Sequence, residues 1–103
     1  MMLSTTDYIA RKELENLGLV QGNVVQTKNI GKDLKAIGRT LLGGEIRDYT
    51  DLLKEARGVA TERMIEEAKA MGADAIVAVR YSTSNIMDTA SEVMAYGTAV
   101  KFV

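Results

Sequence analysis

From Glu66 to Val79 the chain reads Glu-Glu-Ala-Lys-Ala-Met-Gly-Ala-Asp-Ala-Ile-Val-Ala-Val, and an amphipathic helix that passes through a glycine stop directly into a buried strand is compatible with few folds. Gly72 stands where a helix end needs a left-handed residue, and Ala75 to Val79 is a continuous apolar run of the kind found in strands covered on both faces. Upstream, Asp48 is placed to cap this helix, and Asp51 suits the positive end of its dipole. Leu53, Ala56, Ala60, Met64, Ala68 and Met71 recur with helical period, within a stripe that begins at Tyr49 and lasts about six turns. Lys54, Glu55, Arg57, Glu62 and Lys69 take the other face. Gly58 falls on that exposed side, where it costs about 1 kcal/mol relative to alanine.

The rest of the chain supplies strands and a second helical segment. Val20, Val24 and Val25 support a strand over Leu17–Thr27, with Gly18 and Gly22 as bends, bulges or points of close backbone approach. Met2–Thr6 predicts a short strand, and Tyr8–Asn16 an edge or irregular turn. Asn29 is an N-cap, after which Ile30, Leu34, Ile37 and Leu41 predict a helix ending at Gly43-Gly44. After Val79 the polar run Ser82–Asn85 predicts a loop. The last strand, from about Ser91 to Val103, places Val93, Ala95, Gly97 and Ala99 on one side and the bulkier Met94, Tyr96, Thr98, Val100 and Phe102 on the other. The expected fold is therefore α+β in the order ββααββ, one domain over 1–103, with an antiparallel or mixed sheet and both helices on one face.

Composition narrows the chemistry. A single domain of 103 residues buries only about two-thirds of its unfolded surface, which favours association with copies of itself. Thirteen basic and fourteen acidic side chains leave a net charge of −1, with no field to hold nucleic acid or an acidic membrane surface. No apolar run approaches the roughly 18 residues of a membrane span and no leader pattern is visible at the N-terminus, so a cytoplasmic protein is expected. Histidine and cysteine are absent, which removes disulfides, thiolate or imidazole metal sites and the commonest nucleophiles and bases. Glu66 and Glu67 are adjacent on a helix and diverge by about 100°, so they form no catalytic dyad.

Three segments resemble the YbjQ family of small uncharacterised proteins, labelled for heavy-metal binding. They are Lys32–Gly44, Tyr49–Val77 and Glu92–Val100, the last with its Gly97-Thr98-Ala99-Val100 run. The resemblance covers most of the chain and implies a β/α subunit of a ring, commonly a pentamer, with no established activity. Glu45 and Thr40 depart from it, standing where a basic and an acidic residue are usual.

The expected function is a homo-oligomeric module that binds a small ligand or metal ion without catalysis. The alternative is a structural or protein-interaction assembly with no ligand. Candidate ligand-binding residues are Arg39, Gly43, Gly44, Tyr96 and Thr98: Arg39 shares a helix face with Lys32 and Lys35, the glycine pair can offer backbone N–H groups to an anion, and Tyr96 can line a pocket with Tyr81. Asp88 and Glu92 are the candidate metal ligands, because symmetry around a ring axis multiplies one carboxylate into a cluster for a hard cation. Ala95, Gly97 and Ala99 form a smooth patch, read as the oligomer contact, with accommodation of the long helix as the rival reading.

Overall fold

The computed structural model describes residues 1–27, 47–87 and 90–103. Strand β1 is Met2–Leu3, β2 is Leu14–Thr27, helix α1 is Arg47–Ala70, β3 is Ala75–Met87 and β4 is Ala90–Phe102. The helix expected over Ile30–Leu41 lies outside the described residues, as do Arg39, Gly43, Gly44 and Asp88. The four strands form one sheet in the order β1-β3-β4-β2, mixed because β1 runs parallel to β3 while β4 is antiparallel to both of its neighbours.

Helix α1 ends as its sequence dictates. Gly72 adopts φ +78, a left-handed conformation, and the amides of Met71, Gly72 and Ala73 return to carbonyls of the last turn at 3.0–3.1 Å. The chain then enters β3, where Ala75, Ile76, Val77 and Val79 are all buried. Ser82–Asn85 is not a loop: it continues β3, paired from Ser82↔Met94 to Asn85↔Ser91. Its polar composition reflects exposure of this part of the strand on both faces rather than a turn, and the ladder to β4 satisfies its backbone.

Between Val77 and Arg80 the pairing with β4 slips, and Ala78 takes φ +54. The bulge turns the amides of Ala78 and Val79 outward to the carbonyls of Thr6 and Ser4, at 2.7 and 3.0 Å, so the N-terminal segment covers this part of the β3 edge. Gly97 lies opposite. A Cβ there would come within 2.8 Å of Ile76 Cγ2 and 2.9 Å of the Val77 carbonyl oxygen, which leaves room only for glycine.

The main core lies between α1 and one sheet face. Ala56, Ala60, Met64 and Ala68 of the helix pack without exposure against Val20, Val93, Ala95 and Ala99. The small side chains let helix and sheet approach closely. At Gly22 of β2 an added Cβ would fall on the Ala60 carbonyl oxygen and within 2.5 Å of the Met64 amide nitrogen. A smaller cluster sits on the opposite face at one end, where Ile9, Leu14 and Phe102 pack on Ala75, Val77 and Val100. The molecule is long and thin, 54 × 27 × 16 Å, with a radius of gyration of 16.9 Å, against about 13 Å for a compact chain of this length. Among the described residues no helix is long and apolar enough to cross a membrane.

Candidate functional site, a groove on the sheet face opposite the helix

Alternation along the strands decides what reaches the face away from α1. On β4, Val93, Ala95 and Ala99 turn to the helix, so Met94, Tyr96 and Thr98 turn away from it and are half-buried. On β2, Val20 and Val24 are buried against the helix, which sends Leu19, Gln21, Asn23 and Val25 to the opposite face. Cross-strand register then places Gln21 beside Tyr96 and Ser82 beside Met94. These four residues and Leu19 line a shallow groove of about 350 Å³.

The groove suits a small, mostly neutral molecule. Leu19 and Met94 offer apolar surface, Tyr96 a ring face with a phenol, Gln21 an amide and Ser82 a hydroxyl. No charged side chain is among its lining residues.

Of the expected ligand residues, Tyr96 lines the groove and Thr98 follows it on the same face. Tyr81 points elsewhere: its hydroxyl meets Thr61 Oγ1 on α1 at 2.8 Å, so the two tyrosines share no pocket. Ala95, Gly97 and Ala99 lie beneath α1 and the β3 bulge, enclosed by their own chain, and a second copy could not reach them without displacing the helix. Ala95 and Ala99 pack in the core with the helix residues, whereas Gly97 is closed in by Ile76, Val77 and Val79 of β3. Leu19, Gln21, Ser82 and Met94 were not identifiable from sequence as site residues, since only the β2–β4–β3 register brings them together. Alternation within Leu19–Val25 was the available signal, and it lacks a partner strand until the pairing is known.

The donors do not fit a soft heavy metal held within one chain. The sequence has neither histidine nor cysteine, and Met64 is buried in the core. Among the described residues no group of three or more carboxylates is gathered. Glu92 projects on the bare face, half-buried, across from Val25 and Ser84.

The class so defined is a small α+β protein with a mixed four-stranded sheet, a helix on one face and, among the described residues, a groove on the other. The chain belongs to the YbjQ family, described as "Putative heavy-metal-binding", whose model matches residues 1–103. It is 52% identical over 103 residues to a UPF0145 protein of Alkaliphilus metalliredigens, covering 100% of both chains. It is 56% identical over 102 residues to one from Pseudothermotoga lettingae, covering 98% of this chain and 96% of that one. A solved structure of a protein of unknown function from Pediococcus pentosaceus, belonging to the DUF74 family, shares the fold with a TM-score of 0.76 at 14% identity, covering 100% of this chain and 98% of that chain.

Proposed function

We propose that the protein is a non-catalytic, self-associating module, a pentameric ring, that binds a small ligand on the bare sheet face. The observation that carries this reading is the groove of Leu19, Gln21, Ser82, Met94 and Tyr96, which combines apolar walls with three neutral hydrogen-bonding groups on a face that α1 leaves open. Self-association is supported by the long, thin shape and by Leu19 and Val25, both more than half exposed on that face. In a ring, Glu92 repeated about the axis offers a hard cation the oxygen donors that one chain does not gather.

Native mass spectrometry of protein purified without added metal reports stoichiometry and retained ligand together. A ring carrying a bound small molecule is expected; a monomer without one would sink the reading. A thermal-shift screen of hard cations, small anions and neutral aromatic compounds then identifies the ligand class, since a ligand selective for the native state raises apparent stability. The second reading, an interaction assembly without a ligand, is favoured by the exposed Leu19 and Val25. It prevails if the ring forms and nothing in the screen shifts its unfolding.

A further inference from the structure

The bulge in β3 decides which side chains of its second half reach the groove. Val77 stands across from Thr98 and Arg80 across from Tyr96, so three steps along β3 face two along β4. The extra residue reverses the alternation. Val79 therefore enters the core beneath α1, Tyr81 meets Thr61 on the helix and Ser82 lines the groove. Had the register of Val77↔Thr98 continued, Tyr81 would lie across from Met94, and Ser82 across from Val93 on the helix side.

Burial fixes this phase only at its start. Val79 is buried, but Arg80–Met87 is exposed throughout, and the polar side chains of Ser82–Asn85 are solvated as well on one face as on the other. A second irregularity, between Asn85 and Met87, leaves slack at the far end. The bulge also carries a cost, since Ala78 adopts φ +54, a conformation that a residue with a Cβ disfavours. The N-terminal segment offsets it. The Thr6 carbonyl accepts from the Ala78 amide at 2.7 Å and the Ser4 carbonyl from the Val79 amide at 3.0 Å, while the Ser4 amide donates to the Ile76 carbonyl at 3.0 Å. Arg80 Nη1 ties the two segments together, donating at 2.9 Å to the carbonyls of both Thr5 and Val79.

We propose that Ser4–Thr6 and Arg80 form a latch on the β3 bulge, and that its opening lets Arg80–Asn85 slip by one residue along β4, taking Ser82 out of the groove and bringing Tyr81 in. These are positioning residues, since none of them lines the groove. The consequence for ligand binding rests on the groove reading above; the change of register does not.

The absence of native cysteine makes the register readable by intramolecular disulfide trapping in the full chain. Ser91 Oγ lies 3.1 Å from Asn85 Oδ1, so Asn85→Cys with Ser91→Cys reports the latched register, and Ser84→Cys with Ser91→Cys the slipped one. Under mild oxidation the first pair is expected to close faster than the second. Arg80→Gln removes the guanidinium from the latch, and the ratio of the two rates is expected to fall by about tenfold, the scale of one charged hydrogen bond. Adding Ala78→Gly, which relieves the bulge without removing its hydrogen bonds, is expected to restore most of that ratio. A ratio that Arg80→Gln leaves unchanged overturns the latch, as does a fall that Ala78→Gly fails to reverse. If circular dichroism shows Arg80→Gln unfolded, hydrogen exchange of the unsubstituted chain decides. The amides of Ala78 and Val79 are then expected to open together with the protected amides of Ser82–Asn85, well before those of Ala56–Ala68 in α1; exchange of all of them in one step overturns the proposal. The thermal-shift screen tests the groove by a separate readout, so a failed latch and a failed groove are told apart.

Discussion

The two faces of β4 differ in how far their side chains are enclosed. Val93, Ala95 and Ala99 meet α1 with no exposure, while Met94, Tyr96 and Thr98, alternating with them, remain partly open. Among the described residues the same strand therefore belongs to a closed core on one side and a half-buried surface on the other. On the helix face the residues are small because backbone must approach backbone; on the bare face they are larger and nothing described lies on most of them. Substitutions should accordingly act on folding from one face and on association or ligand binding from the other.

The sharpest contrast is expected at Gly22. A valine there would drive its Cβ into the Ala60 carbonyl and the Met64 amide, backbone atoms that move only if α1 lifts from the sheet. Gly22→Val is expected to cost about 3 kcal/mol or more, seen in urea unfolding or as failure to fold. A cost under about 1 kcal/mol would mean that the helix does not sit on β2.

Gly97→Val comes next, at about 2 kcal/mol, because the clash is with Ile76 Cγ2 and the bulge backbone at Val77 and Val79. The loss is expected in the stability of each chain. A variant of unchanged stability that nonetheless fails to assemble would return Gly97 to the oligomer contact.

What the sequence revealed divides along the same line. Gly72, the stripe Ala56–Ala68 and the alternation in β4 were legible because each is a local pattern with one physical solution. The identity of the helix-covered face was legible only as two alternatives. Ala95, Gly97 and Ala99 are as suitable for a neighbouring chain as for their own; the fold packs Ala95 and Ala99 with α1 and sets Gly97 against the β3 bulge, neither of which the local pattern shows. Ser82–Asn85 misled because polar residues mark turns and doubly exposed strands alike. The groove depends on a register shared by three strands that are distant in sequence, and no local pattern encodes it.

Gly58 offers a smaller effect of opposite sign. It lies within α1 on the exposed side, with nothing within 4 Å of where a Cβ would stand. Gly58→Ala is expected to stabilise the chain by about 1 kcal/mol through restriction of the unfolded state and better helix propensity. It should leave assembly mass unchanged; a destabilisation would place a neighbouring chain against the outer face of the helix.

The smallest folding effect is expected on the bare face. Leu19 is 68% exposed, so replacement by glutamine removes little buried apolar surface from a single chain. Leu19→Gln should change unfolding stability of dilute, unassembled protein by less than about 0.5 kcal/mol. Under assembling conditions the outcome should differ, because a leucine left open by its own chain gains contact area from a neighbour or a ligand and a polar replacement loses that gain. Weaker assembly or weaker ligand stabilisation at constant chain stability is therefore the expected signature. Unchanged behaviour in both respects would show that the bare face is simply solvated, and the contrast between the two sides of β4 would then describe packing alone.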